Sequence, residues 1–411
     1  MSKPKIRRVA LAYSGGLDTS IIVHWLREQY GCEVVCYCSD LGQGAELEGL
    51  EARARAMGAV DVVVEDLRLP FIADFAFPAL RSGAIYEGRY LLGTALARPL
   101  IAARQVACAI ARDCDALAHG CTGKGNDQVR FELTYQALAP GLAVIAPWRE
   151  WNITSREDAL RYAERHGIPV PVATGDLYSR DGNLWHLSHE GGPLEDAAHE
   201  APESMFRLTA PPARRPATSE RVSIEFEAGT PVGLAGRRLG PVELVSRLNA
   251  VAARHGVGRD DVVESRVVGM KSRGVYETPA GTVLREALED LCRLTLPHDV
   301  LRTRAELAPR MADLIYSGFW HSPLRPALQA FVDTALAPTT GEVTVELFQG
   351  RATAVSRRSS QSLYRADLAS FDMTGFRAAD AEGFIRLLGL PLTAVARRAQ
   401  AAEEMSYDAG R

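Results

Sequence analysis

Ser14-Gly15-Gly16-Leu17-Asp18-Thr19-Ser20 lies between a short apolar run at 9–13 and a segment, 19–30, with Ile22, Trp25 and Leu26 at helical spacing. Glycines let the backbone turn tightly and bring successive N–H groups toward an anion. The helix start at Thr19 adds unsatisfied donors and the positive end of a dipole. Ser14, Thr19 and Ser20 contribute hydroxyls. Asp18 fits beside a polyphosphate only if a cation sits between them, so it is assigned to Mg²⁺, held through water. A Ser-Gly-Gly turn alone would equally be a plain strand-to-helix connection; the acid and hydroxyls at these spacings favour the phosphate reading. Two other phosphate signatures fail. Gly123-Lys124 is followed by Gly125 where a P-loop needs Ser or Thr, and Gly42-x-Gly44 lacks the third glycine of a dinucleotide fingerprint.

Working outward, residues 33–39, 60–65, 116–119 and 143–147 read as further strands. Helical patterns fall at 46–57, at 94–112 and from a capping box at 154–157 to Arg165. Strands separated by helices require crossovers, which predicts an α/β fold with a parallel sheet covered on both faces and ligands at the carboxyl ends of its strands. From 175 to about 216 the chain is rich in Gly, Pro, His and acids, the composition of a functional loop region or linker. Beyond it, strands at 222–226 and 262–269, a helix at 241–254, helices through Phe331 and a hairpin around Gln349-Gly350 define a second, α+β domain. The expected division is 1–170, 171–375 and a helical tail, 376–411, suited to packing on a neighbouring subunit.

With 411 residues and a net charge of −4, the chain lacks the basic balance of a nucleic-acid binder. No apolar run approaches the roughly 18 residues of a membrane span. No cleavable apolar segment follows the basic N-terminus, and the seven scattered cysteines form no CxxC pair. A cytoplasmic protein with reduced thiols is expected.

The heptad at 14–20 resembles the pyrophosphatase loop of enzymes that split ATP between its α- and β-phosphates, such as GMP, asparagine and NAD synthetases. A second cluster, His119-Gly120-Cys121-Thr122-Gly123-Lys124-Gly125-Asn126-Asp127-Gln128-Val129-Arg130-Phe131-Glu132, crowds polar groups where the sheet's carboxyl edge should lie. Cys121 reads as a buried thiol in preference to a nucleophile. This cluster, with 86–94, 146–151 and 269–279, resembles the argininosuccinate synthase family; the tail and 190–216 match least.

The resemblance implies condensation of citrulline with aspartate, driven by cleavage of ATP to AMP and pyrophosphate, in a homotetramer. It places ATP on Ala12, Tyr13, Ser14, Gly15, Gly16, Leu17, Asp18, Thr19, Ser20, Ser39 and Gly120. Aspartate falls to Thr122, Asn126 and Asp127. Citrulline falls to Tyr90, Ala95, Asn126, Arg130, Ser179, Ser188, Glu264 and Tyr276. Ala95 stands where the family commonly offers a hydroxyl. Taken alone, Glu264 and Tyr276 would read as structural residues. Asp18 and Asp127 are the candidate catalytic residues, Asp127 as a base toward the aspartate amine or as a binding group only. Two other readings stay open: an amidating or thiolating relative, and a non-enzymatic nucleotide-binding protein.

Overall fold

The computed structural model describes residues 5–153, 155–168, 177–370 and 375–408. Five strands, β1 (Arg8–Ala12), β2 (Glu33–Asp40), β3 (Asp61–Asp66), β4 (Ala116–Ala118) and β5 (Ala143–Ile145), form a parallel sheet in the order β3-β2-β1-β4-β5. The two-residue period of the strands sorts their side chains. Val9, Leu11, Val34, Cys36, Cys38, Ala116 and Ala118 face one layer with Ile21, Ile22, Leu26, Ala159 and Ala163. Ala10, Val35, Tyr37 and Leu117 face the other, with Ala102, Val106, Phe131 and Tyr135. Helices Leu17–Tyr30 and Arg156–Arg165 therefore cover one face, and Gly93–Ala111 and Asp127–Leu138 the other. All seven cysteines are free thiols.

Several expected boundaries shift for local reasons. The helix expected at 46–57 is broken: Gly44–Leu47 is a 3₁₀ turn, Gly49 adopts φ 66°, and the α-helix is only Leu50–Ala56. The capping box sits one residue later than expected, with Ser155 and Asp158 exchanging backbone hydrogen bonds; Thr154 lies outside the described residues.

The 175–216 stretch, whose start lies outside the described residues, is no slack linker. It contains the hairpin β6 (Ser179–Gly182) and β7 (Leu187–Glu190). The buried Glu277 carboxylate fixes the following loop by accepting from Arg207 N at 2.8 Å, Leu208 N at 3.0 Å, Thr209 N at 2.7 Å and Thr209 Oγ1 at 2.6 Å. Periodicity could not show this, because the partner is nearly seventy residues away.

Beyond this loop come β8 (Glu220–Glu227), β9 (Thr230–Leu234), β10 (Arg237–Arg238), β11 (Arg259–Ser265), β12 (Lys271–Glu277), β13 (Gly341–Phe348) and β14 (Arg351–Arg358). They build two antiparallel sheets, β10-β9-β8-β13-β14 and β11-β12-β7-β6. Helices Pro241–Arg254 and Pro279–Thr295 bury Leu244, Leu248, Val283, Leu284 and Leu288 against the first of these.

Helix Gly93–Ala111 belongs to both cores. Ala95, Leu96 and Leu100 pack in the second core, Ala102, Val106 and Ala109 under the parallel sheet. One compact unit thus carries all three sheets and ends at Gln361. A second unit begins at Ser362, ahead of the tail expected from 376, and the expected 170/171 boundary lies outside the described residues. The second unit holds helices Ala378–Leu388 and Leu390–Asp408, with Phe384, Ile385, Leu388 and Leu392 exposed. Among the described residues, no helix is long and apolar enough to cross a membrane.

Candidate active site

The strand order reverses direction between β1 and β4, whose carboxyl ends lie side by side, Leu11 opposite Ala118. A crevice opens at such a switch point in parallel sheets, and ligands bind there. Both loops singled out from the sequence leave from this place. After Ala12 and the buried Tyr13, the chain turns at Gly15, whose φ of 77° suits only glycine without strain. Ser14 Oγ lies 3.1 Å from Thr19 Oγ1, and Tyr13 Oη 3.3 Å from Ser20 Oγ, which ties the turn to the first helical residues. Gly16, the N-cap of helix Leu17–Tyr30, offers no side chain to its first turn, where Asp18 is half-buried. Gly120 lies so close that an added Cβ would come within 3.0 Å of Thr19 Cγ2. Ser39, near the end of β2, is buried and donates to Tyr37 Oη at 3.2 Å.

The second loop runs into helix Asp127–Leu138. His119 is buried, its Nε2 2.9 Å from Glu132, and burial with the Arg149 charge pushes it down to about 4. Burial, with the Asp127 charge beside it, pushes the Cys121 thiol up, opposite to what a nucleophile needs. Burial alone would also push Asp127 up, but two guanidiniums outweigh it and hold the carboxyl below its ordinary value. Arg98 Nε donates to Asp127 Oδ2 at 2.8 Å and Arg130 Nη1 to Oδ1 at 2.9 Å.

The residues expected to hold citrulline come from distant segments. Asn126 Nδ2 donates to Tyr316 Oη at 2.9 Å, Tyr316 Oη donates to Glu264 Oε1 at 2.6 Å, and Tyr276 Oη donates to Glu264 Oε2 at 2.8 Å. Arg130 Nε donates to Tyr316 O at 2.9 Å, with the guanidinium over the Tyr316 ring; its Nη2 makes no bond among the described residues. Tyr90 stacks on Tyr276 at 4.4 Å. Ser188 sits beside Tyr276 in the β7–β12 register and donates to Asp181 O at 3.3 Å. Burial pushes the Tyr90, Tyr276 and Tyr316 phenols up, so all three keep their protons as donors.

Tyr90, Asn126, Arg130, Glu264, Tyr276 and Ser188 thus share one wall. Ser179, at the outer end of β6, and Thr122 are exposed and stand apart from that network. Ala95 is buried in the apolar cluster, its methyl one residue past Thr94.

Sequence reasoning missed Tyr316, Arg98 and Asp181. Arg98 and Thr94, one helical turn apart, both donate to Asp181 Oδ2, at 2.7 and 2.8 Å. A polar pair at (i, i+4), Thr94 and Arg98, in the apolar first half of its helix was a readable signal for Arg98. Tyr316, the last residue of its helix, carried none.

The sheet, its switch point and the loop at Gly16 define a nucleotide-binding α/β domain joined to an antiparallel α+β part. Residues 8–169 match the family model described as the arginosuccinate synthase N-terminal HUP domain, and 178–395 match that of the arginosuccinate synthase C-terminal domain. Argininosuccinate synthase of Roseiflexus sp. (strain RS-1) is 58% identical over 94% of this chain and 96% of that protein. That of Roseiflexus castenholzii is 56% identical over 94% and 97%, and the chloroplastic enzyme of Arabidopsis thaliana 53% over 94% and 79%. The chain belongs to the argininosuccinate synthase family, ligases that form a C–N bond.

Proposed function

We infer that this chain ligates citrulline and aspartate to argininosuccinate, splitting ATP into AMP and pyrophosphate through a citrullyl-AMP intermediate. The observation that carries this reading is the meeting, at one sheet crevice, of an N-terminal helix end suited to phosphates and a buried amide–phenol–carboxylate network suited to an amino acid. In that reading, residues 12–20 with Ser39 and Gly120 hold ATP. Thr122, Asn126 and Asp127 hold aspartate. Tyr90, Asn126, Arg130, Ser179, Ser188, Glu264 and Tyr276 hold citrulline, Ala95 giving shape only.

The residue types suit the tasks. Arg130 can offer its open Nη2 edge to an α-carboxylate, and Glu264, already gathering two phenols, can accept from an α-ammonium. The ureido carbon is a poor electrophile; adenylylation of its oxygen creates a leaving group that the aspartate amine displaces. Aligning the reactants in succession can supply roughly 7–11 kcal/mol of the barrier. Asp127, kept ionised between Arg98 and Arg130, is better suited to hold charged groups in place than to accept a proton. We therefore assign it binding and alignment, and no base.

Asp18, a half-buried carboxylate among hydroxyls in the first turn, offers oxygen donors that fit a hard cation. It would hold Mg²⁺, which when bound neutralises charge on the departing pyrophosphate. The exposed apolar residues of helix Ala378–Leu388 support a tail that mates with other copies, and we propose a cytoplasmic homotetramer.

Pyrophosphate release measured with citrulline and aspartate, singly and together, tests the reading. Argininosuccinate should form only with both. Release with ammonia in place of aspartate would favour the amidating alternative, and no release with citrulline present would defeat the assignment.

A further inference from the structure

Away from the crevice, the C-terminal half of helix Leu17–Tyr30 packs beside helix Arg156–Arg165. His24 and Glu28, four residues apart, share one helix face and meet His166, the C-cap of the other helix. A nitrogen from each imidazole and a Glu28 oxygen lie within 4.8 Å of one another. Tyr162 organises the group. Its hydroxyl donates to Glu28 Oε2 at 3.1 Å and lies 3.0 Å from His24 Nδ1. A phenol has a single proton. With that proton on the Glu28 side, Nδ1 of His24 must carry hydrogen and donate to the phenol oxygen, leaving the lone pair on Nε2. An imidazole held through its far N–H by a polar partner is how proteins present histidine to a metal.

We propose that His24, Glu28 and His166 bind a divalent transition ion of the Zn²⁺ class. Two imidazoles and one carboxylate form a donor set for such borderline ions, whereas Mg²⁺ prefers oxygen alone. Metal–ligand bonds of about 2.0–2.2 Å place tetrahedral donors roughly 3.4 Å apart, so the three side chains draw inward by about an ångström on binding. Glu28 is exposed and His166 is at a helix end, so both can make that move. Three protein donors leave a fourth position for water or an outside group. Glu28 and Tyr162 also line a cavity of about 510 Å³ with Trp25, Trp151 and Arg161. Ligation would clamp the helix that begins at the phosphate loop onto the 156–165 helix.

The test is titration of the metal-free full chain with Co²⁺ in excess Mg²⁺, followed by d–d absorption and calorimetry. One tetrahedral Co²⁺ per chain is expected, displaced by Zn²⁺. Loss of a ligand should weaken it by at least about tenfold in Glu28→Gln and about a hundredfold in His166→Gln, no less than the roughly 10–100-fold that follows loss of an outer-shell partner. Both changes lie on the surface side of the fold, and circular dichroism checks that each variant is folded. Octahedral spectra, no stoichiometric binding, or affinity unchanged in folded His166→Gln would overturn the proposal.

Discussion

The phosphate loop is made of consecutive residues, Ser14 to Ser20, and its internal bonds span only a few positions. The network around Tyr316 joins Asn126, Glu264 and Tyr276 across separations of up to 190 residues. The first is a backbone device: donors aimed by a turn and a helix end. The second is a side-chain device in a dry setting, where each buried hydrogen bond contributes about 1 kcal/mol and each orphaned group costs about 1–3 kcal/mol. A backbone device tolerates changes in its surroundings and fails when its own few residues change. An assembled device responds to residues that touch no substrate.

The sharpest way to break this contrast is Asp18→Ala. Turnover should fall by about a thousandfold, the scale on which removal of electrostatic stabilisation acts, while the melting curve stays unchanged. Pyrophosphate release at a normal rate by the folded variant would remove Asp18 from the metal.

Acid should reach the surroundings of both regions: His119, next to Gly120, and His186, whose ring lies 6.1 Å from that of Tyr276, are buried imidazoles pushed down to about 4 chiefly by burial. Between pH 6.5 and 4 the unfolded chain binds more protons at these positions than the folded chain. Their contribution is therefore complete above about pH 6.5 and is lost on acidification, by about 3 kcal/mol each at pH 4. Denaturant midpoints against pH should flatten over that window in His186→Asn, with the His119 share remaining. A slope identical to wild type would show that His186 does not titrate as its burial demands.

Arg130→Lys tests the assembled wall. Lysine loses the fork that reaches Tyr316 O and Asp127 together. The citrulline KM should rise by about thirtyfold, with the ATP KM nearly constant. Equal effects on both would merge the two regions into one. Tyr316→Phe, the mildest change, removes one hydroxyl that serves Asn126 and Glu264 at once. A loss of about tenfold in kcat/KM for citrulline is expected, at unchanged ATP KM. No change would mean that Asn126 and Glu264 need no bridge.

Legibility in the sequence followed the same division. The strand–turn–helix at 9–30 could be read because apolar period, glycine turn and hydroxyl spacing are all local. The shift of the capping box from 154–157 to Ser155–Asp158 is an ambiguity between neighbouring polar residues. The 175–216 segment read as irregular because its order comes from a buried carboxylate on β12 and from pairing with that strand. Arg98 was hidden in plain view, a charge in an apolar helix whose acidic partners lie far along the chain.

The sequence by itself determined the parallel sheet, the place of the phosphate loop on its first strand, and the residue types available for the reaction, because alternation, helical spacing and turn chemistry are properties of short segments. Only the tertiary structure decided that Asp127 lies ionised between two arginines, that Tyr316 links the amide of Asn126 to the carboxylate of Glu264, and that His24, Glu28 and His166 converge. Such contacts depend on how helices and sheets pack, and packing is fixed by the whole core at once.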